Sequence, residues 1–167
     1  RSVDHLEASS REAIERIGSS DTLAVLLPAS GFSTDDRYAD GRALVDAGAA
    51  VAVATNLNPG SAPCPSMPMA ITLACRKCGL TPHEAIAAST YNAACVLGLQ
   101  NEVGSLAVGH RADLVVLDTH DERELAWWVA APPPPLILHR GEVIQFLANR
   151  ATVNDMEEDD PSQDDES

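Results

Sequence analysis

Four polar or small residues follow a short apolar run, and their types and spacing could bind a small polar ligand. Residues 51–54 are typical of a buried parallel strand. After them come Asn56, Asn58, Gly60 and Ser61. Ligands of parallel α/β folds bind at the carboxyl ends of the strands, where these side chains would lie. The turn Asn58-Pro59-Gly60 could offer backbone N–H groups to an anion, and the alternative is a tight structural turn.

A histidine occupies a similar position earlier in the chain. His5 lies in the segment Ser2-Val3-Asp4-His5-Leu6, which resembles the tail end of a buried strand, and we predict a functional role for it. The alternative is an ordinary strand-end histidine that pairs with a neighbour. The other four histidines fall at a predicted helix start or in later strands and loops, so we predict that they lie on the surface: His83, His110, His120 and His139.

Predicted strands and helices alternate in the first part of the chain, as they do in parallel βαβ folds. A strand end before residue 6 is followed by predicted elements at 10–18 (helix), 21–28 (strand), 41–48 (helix) and 50–54 (strand). We predict a polar loop from Ala29 to about Tyr38. Three parallel strands cannot bury both faces of a sheet or close a barrel, so we expect the chain to be a fragment of a longer protein.

The pattern changes from helical to strand-like near residue 102. Before it, we predict helices over 67–78, 85–88 and 92–99, with Thr81 and Glu84 forming a capping box. After it, we predict a buried strand over 114–117, a helix carrying Trp127 and Trp128, and a final hairpin over 136–144.

Several segments resemble imidazolonepropionase, a family of metal-dependent amidohydrolases. They are the stretch 51–61 described above, Ser66-Met67-Pro68, Leu73-Ala74-Cys75, Leu80 to Ala85, and the glycine-punctuated stretch Gly104 to Asp118. The resemblance extends from about residue 2 to about residue 144. It implies an α/β fold, with residues 1–100 forming about strands 6–8 of a (β/α)8 TIM-type barrel. Residues 101–147 would then belong to the β-sandwich that flanks the barrel.

The same resemblance implies a reaction and a set of site residues. Members of this family open the ring of 4-imidazolone-5-propanoate to N-formimidoyl-L-glutamate in histidine degradation, with one zinc or iron ion. His5 matches a histidine near the substrate carbonyl, whereas Asn58, Gly60 and Ser61 match substrate-binding positions. Asn56 stands where the family has a catalytic, metal-binding aspartate. A carboxamide is a weaker ligand and cannot accept the proton of water, so we expect this chain alone to be a weak catalyst or none.

Two other functions fit the sequence. The first is a noncatalytic amidohydrolase relative that serves as a binding or scaffold module, in which Asn56 marks the loss of the metal. The second is an amidohydrolase that acts on another cyclic amide, such as a dihydropyrimidinase-like or dihydroorotase-like ring. The Asn58-Pro59-Gly60-Ser61 segment argues against this second alternative.

Composition and charge narrow the classes of partner. The 167 residues carry a net charge of −14, and eight acidic side chains lie among the last thirteen residues. This charge disfavours binding to nucleic acid or anionic lipid, and we predict a disordered acidic tail over 148–167. No apolar run is long enough for a membrane helix, so we expect a cytoplasmic protein. The family resemblance implies a homodimer.

The cysteines also fit the predicted cytoplasmic location. The four cysteines are predicted to be free thiols, because the sequence shows no secretion signal. The spacing of Cys75 and Cys78 could begin a zinc site, but both lie in a helical pattern and no second pair follows. We therefore predict that they pack in the core.

Overall fold

The computed structural model describes residues 1–129 and 131–147 and contains two three-stranded sheets. The first sheet is parallel, in the order β1 (Ser2–Asp4), β2 (Leu23–Leu26) and β3 (Val51–Val53). The second is antiparallel, in the order β4 (Leu114–Val116), β5 (Leu136–His139) and β6 (Glu142–Phe146). The predicted tail over 148–167 lies outside the described residues.

Six α-helices and one 3₁₀ helix connect the strands within the described residues. Their bounds are α1 (Arg11–Gly18), α2 (Pro28–Ser33), α3 (Gly41–Asp46), α4 (Met67–Lys77), α5 (Pro82–Ser89), α6 (Tyr91–Leu97) and the 3₁₀ helix Glu122–Ala126. The predicted alternation of parallel strands and helices in the first hundred residues is confirmed. None of the helices in the described part of the chain has the length and apolar character needed to cross a bilayer.

Helix α2 corrects the prediction of a polar loop after residue 28. Pro28 begins the helix, and its ring fixes φ near the helical value while its missing N–H costs no hydrogen bond at that position. The rest of the helix contains serine and glycine, which have low helix propensity, so the local pattern indicated a loop. Burial of Pro28, Ala29, Ser30 and Gly31 stabilises this helix through tertiary packing.

The core lies between the parallel sheet and its helices. Leu26 and Val53, on neighbouring strands, are almost fully buried with Leu44 of α3, and Ile71 of α4 belongs to the same cluster. Burying such a side chain stabilises a fold by about 1.5–3 kcal/mol. Small residues allow the helices to approach closely: a Cβ at Gly18 would lie 2.1 Å from the backbone oxygen of Ala47.

The start of α5 is anchored both within the helix and to α3. The predicted capping box is confirmed: the Thr81 hydroxyl accepts from the Glu84 N–H, and the Glu84 carboxylate accepts from the Thr81 N–H at 2.8 Å. The same carboxylate accepts two hydrogen bonds from Arg42 Nη1, at 3.1 and 2.9 Å. Chiefly because of Arg42, the pKa of Glu84 falls to about 2.

Glu84→Gln is expected to lower the free energy of unfolding by about 1 kcal/mol at pH 7, because the ion pair and part of the cap are lost. A carboxyl whose folded pKa is depressed stabilises the fold above its unfolded pKa of about 4.5. The difference from the parent chain should therefore shrink as the pH falls from about 4.5 toward 2. Urea unfolding at several pH values measures it. Glu102→Gln, at an exposed glutamate, is the control and should change little at any pH.

The second sheet is more exposed than predicted. Residues 114–117 were expected to form a buried strand, yet Val115 is 59% exposed and Val116 44% exposed. The prediction of burial was wrong, because Val115 and Val116 point to opposite faces of β4 and the described elements leave both side chains partly uncovered. The predicted hairpin is confirmed, and its turn residues Arg140 and Gly141 both have positive φ.

The segment between β4 and β5 also differs from the prediction. It contains the 3₁₀ helix instead of an α-helix, and Trp127 and Trp128 follow it, both largely exposed. The segment is fixed to α4 because Thr72 Oγ1 donates to the backbone oxygens of Leu125 and Trp128, at 3.3 and 3.0 Å.

The four cysteines are free thiols, as predicted. Cys78 is buried in the main core cluster and Cys75 packs against it, which is the core role expected from their helical spacing. Burial raises the pKa of Cys78 to about 12, so this thiol is protonated at neutral pH.

Candidate functional site

The predicted site residues begin where two parallel strands end. His5 follows β1 directly, and Asn56 lies three residues beyond the end of β3. His5, Leu6 and Asn56 all have positive φ, at 76°, 75° and 54°. This region is uncommon for residues other than glycine and often marks functional sites. Both segments therefore turn sharply at the carboxyl edge of the sheet, where α/β folds bind ligands.

Asn58 closes the loop that follows Asn56. Its Oδ1 accepts hydrogen bonds from the N–H groups of Gly60 and Ser61, at 2.9 and 2.8 Å. Its Nδ2 donates to the backbone oxygen of Asn56 at 2.7 Å and to Ser61 Oγ at 3.1 Å. These contacts are those of a tight structural turn. Within the turn Asn58-Pro59-Gly60 that was proposed for an anion, the Gly60 N–H is bonded to Asn58 Oδ1 and the Asn58 N–H to the Ala62 oxygen, so neither is free for a ligand in this structure.

A buried serine connects Asn56 to the neighbouring strand. Asn56 Nδ2 donates to Ser30 Oγ at 2.8 Å, and Ser30 is only 7% exposed. Ser30 lies in α2, directly after β2, so this bond joins the carboxyl ends of β2 and β3. A hydroxyl can donate as well as accept, and within the described residues the Ser30 hydroxyl donates to no protein atom.

A cavity of about 220 Å³ brings parts of these segments together. His5 and Ser61 both line it, as do Ser30 and Gly31 of α2 and a loop that contains Asp35 and Arg37. Asn56, Asn58 and Gly60 are not among its lining residues. Asn56 contacts the cavity wall through Ser30, and Asn58 does so through Ser61.

The charged groups of the cavity are paired. His5 Nδ1 lies 3.1 Å from Glu7 Oε1, so the predicted site histidine has a carboxylate partner on its own segment. Arg37 Nε donates to Asp35 Oδ2 at 2.6 Å. The Arg37 guanidinium holds the pKa of the Asp35 carboxyl below its usual value, and Asp35 raises the pKa of Arg37 in return. Both members of the second pair are therefore charged at neutral pH.

The described residues do not fit a divalent metal ion by themselves. Across 1–129 and 131–147, no three His, Cys, Asp or Glu side chains are grouped so that they could hold one. The amide of Asn56 could offer a single neutral oxygen, which is a weaker ligand than a carboxylate. A metal at this edge would need most of its ligands from other residues.

Seven lining residues were not singled out from the sequence, and those with polar side chains are Glu7, Ser30, Thr34, Asp35 and Arg37. Ser30 follows a predicted strand by a few residues, so the strand-end rule could have found it. Arg37 and Asp35 lie in a segment with no local motif, and their position depends on packing against α2. Glu7 is identified only by its contact with His5.

Comparison with known proteins identifies the family to which this α/β chain belongs. The model of the amidohydrolase family matches residues 5–157, and the chain belongs to that family. Its similar relatives include two imidazolonepropionases. That of Rubrobacter xylanophilus is 50% identical over 127 residues, which are 76% of this chain and 31% of the relative. That of Deinococcus deserti is 52% identical over 132 residues, which are 79% and 33%.

Solved structures show the same fold at low identity. An adenosine deaminase from Xanthomonas campestris with bound zinc matches with a TM-score of 0.76 and 19% identity, over 87% of this chain and 37% of that one. A mutant atrazine chlorohydrolase from Arthrobacter aurescens, complexed with zinc and atraton, matches with a TM-score of 0.74 and 20% identity, over 87% and 36%. The chain spans about a third of the length of the curated relatives it matches.

Proposed function

We propose that this chain is part of an imidazolonepropionase-like hydrolase that opens the ring of 4-imidazolone-5-propanoate to give N-formimidoyl-L-glutamate. The observation that carries the proposal is the cavity at the carboxyl edge of the parallel sheet, which His5 and Ser61 line together. Identity of 50–52% with two imidazolonepropionases supports the same substrate.

The proposed architecture follows the sequence-based division of the chain. Residues 1–100 form about strands 6–8 of a (β/α)8 barrel, and residues 101–147 form a segment of the flanking β-sandwich. The parallel order β1-β2-β3 and the separate antiparallel sheet support this division. The remaining barrel strands belong to a part of the protein that corresponds to the other two thirds of the relatives' length.

Each proposed site residue has a role that its position allows. The His5 imidazole, at the end of β1, polarises the ring carbonyl or holds a proton near it. Ser61 hydrogen-bonds the ligand from the opposite segment, and Asn58 and Gly60 fix the turn that presents Ser61. Asn56 occupies the position of the catalytic, metal-binding aspartate.

A zinc or iron ion would polarise the carbonyl and activate water when bound. The described residues do not form its site on their own, and we propose that its other ligands come from the rest of the barrel. The carboxamide of Asn56 cannot take a proton from water, so we expect slow turnover unless another base replaces it. A small-molecule substrate and a cytoplasmic location without nucleic acid or membrane fit the acidic sequence. A homodimer stays a prediction.

A chimera tests the proposal. Residues 1–147 replace the matching third of the Rubrobacter xylanophilus relative, and the decay of imidazolone propionate absorbance is measured. Measurable turnover that falls at least tenfold in the His5→Ala chimera is the expected result, and His110→Ala, in the second part of the chain, serves as the control. A folded chimera with no turnover above that of the buffer would contradict the proposed activity.

A noncatalytic binding module is the second candidate, and Asn56 is the observation that favours it. The amide donates to Ser30 at 2.8 Å and brings no negative charge to the site. Metal analysis of the purified chimera separates the two candidates. About one zinc or iron per molecule supports the enzyme, whereas a folded chimera without metal supports the binding module.

A further inference from the structure

A second cavity, of about 130 Å³, is lined by residues of β4, by the 3₁₀ helix and the segment after it, and by Pro68 of α4. It shares no lining residue with the cavity at the sheet edge. Its walls are chiefly apolar and include Val115 and Trp128. Sites for small molecules are usually concave, apolar and lined by aromatic side chains, with a few polar groups. The second cavity therefore has the lining of a binding site, and the proposed hydrolase activity does not use it.

Two walls of this second cavity are positioned by neighbouring elements. Thr72 of α4 is almost fully buried and donates to the backbone oxygens of Leu125 and Trp128, at 3.3 and 3.0 Å. In the opposite wall, the backbone oxygen of Pro134 accepts from Gln145 Nε2 of β6 at 2.5 Å. The cavity is therefore formed before any ligand arrives, which lowers the entropy cost of binding.

The second cavity offers few hydrogen-bond donors. Five of its thirteen lining residues are prolines, namely Pro68 and residues 132–135, and proline has no backbone N–H. The Thr119 hydroxyl also lines the cavity, but it donates to the backbone oxygen of Asp121 at 3.3 Å. An anion would find few partners here, whereas a ligand with N–H donors is favoured.

The charge of the second cavity is negative. The carboxylates of Asp118 and Glu124 line it, and no Lys, Arg or His side chain of the described residues does so. Both acidic residues are exposed, and neither carboxylate belongs to an ion pair within the described part of the chain. The indole of Trp128 is the aromatic group of the lining, and the face of an indole attracts cations.

We propose that the second cavity binds a small organic cation, in which an ammonium group is attached to an apolar body. The apolar body packs against Trp128 and the prolines, and the ammonium group donates to Asp118 and Glu124. A cavity of about this volume admits a ring the size of benzene. The inference does not depend on the proposed hydrolase activity, and no covalent bond changes.

The test is titration of the full chain with benzylammonium, and with benzyl alcohol as its uncharged counterpart, by isothermal titration calorimetry at low salt. We expect one benzylammonium per chain, bound at least tenfold more tightly than benzyl alcohol. Glu124→Gln and Asp118→Asn should each weaken binding of benzylammonium about fivefold, because the attraction of one exposed charge is lost. Neither substitution should change the affinity for benzyl alcohol by more than about twofold.

Adjacent residues provide matched controls. Trp128→Leu should weaken binding of benzylammonium about threefold, because the aromatic face is lost. Trp127 does not line the second cavity, and the Arg76 guanidinium lies over its ring, 5.5 Å from the centroid, so Trp127→Leu should leave binding unchanged. Glu122 belongs to the same 3₁₀ helix as Glu124 but pairs with His83 at 2.9 Å, so Glu122→Gln should also leave binding unchanged.

Tryptophan fluorescence locates the bound cation. The chain has two tryptophans, so Trp128 is the only one left in the Trp127→Leu variant. Its fluorescence should change as benzylammonium binds, whereas the fluorescence of the Trp128→Leu variant should stay constant. Glu7→Gln removes a carboxylate of the cavity at the sheet edge and should affect neither measurement.

Three results would overturn the inference. The first is a folded parent chain that binds benzylammonium no more tightly than benzyl alcohol. The second is unchanged binding in both Glu124→Gln and Asp118→Asn. The third comes from the chimera, which tests the site within a complete barrel: a folded chimera that does not bind benzylammonium. Circular dichroism of each protein establishes that it is folded.

Discussion

Asn56→Asp is expected to raise the turnover of imidazolone propionate by the chimera about a hundred- to ten-thousand-fold, which is the usual contribution of a positioned general base. A carboxylate can accept a proton at neutral pH, whereas the carboxamide cannot. The substitution changes one NH2 group to an oxygen, and aspartate tolerates the positive φ of 54° nearly as well as asparagine.

The neighbour of Asn56 makes this substitution structurally conservative. Ser30 Oγ now accepts from Asn56 Nδ2 at 2.8 Å, and in the variant the same hydroxyl would rotate and donate to the carboxylate. The contact between the ends of β2 and β3 is thereby kept. We expect the free energy of unfolding to change by less than about 1 kcal/mol.

The decay of substrate absorbance measures the effect of Asn56→Asp. Asn101→Asp adds the same charge at an exposed position and should leave the rate within about twofold of the parent. An Asn56→Asp chimera that is folded and no faster than its parent would rule out a missing base as the reason for slow turnover. It would also favour the noncatalytic binding module.

Gly31→Ala is expected to lower the free energy of unfolding by about 2–3 kcal/mol, the upper part of the range for added volume in a packed site. Its Cβ would lie 2.1 Å from the Arg37 oxygen and 3.0 Å from Tyr38 Cε1. A backbone oxygen cannot move aside by a rotamer change, so the loop must lift off α2.

Urea unfolding measures this effect. Gly60→Ala is the steric control, because its Cβ would meet only Asn58 Oδ1, at an ordinary contact distance of 3.4 Å. Its free energy of unfolding should stay within about 1 kcal/mol of the parent. A Gly31→Ala chain as stable as the parent would show that the close approach of the Arg37 backbone to α2 does not constrain the loop.

Signals that lie close together in the sequence were enough to predict part of the structure. Thr81, Pro82 and Glu84 specify a helix start among four consecutive residues, and the structure contains each of its hydrogen bonds. Strands β2 and β3 were predicted equally well, because each is a continuous apolar run. These features depend on neighbours in the chain and need no tertiary information. Strand β1 was expected to be the end of a buried strand, and this was wrong, because Ser2 and Asp4 are exposed.

Features that depend on distant contacts were missed. Helix α2 forms because residues 28–31 are buried, although their intrinsic preferences favour a loop. The exposure of Val115 depends on which elements cover the second sheet. The sequence of β4 alone does not indicate which elements those are. Ser30 and Arg37 became candidates only when the structure placed them beside His5 and Ser61 in one cavity.

The turn after β3, residues 58–61, is stabilised by hydrogen bonds within itself. The Asn58 side chain accepts hydrogen bonds from two backbone N–H groups of the turn. The geometry of residues 58–61 is therefore fixed mainly by these four residues and depends little on the surrounding protein. Protein engineers could transplant it as a cassette to the end of another parallel strand. Such a graft would deliver a serine hydroxyl at a chosen angle to a new binding site.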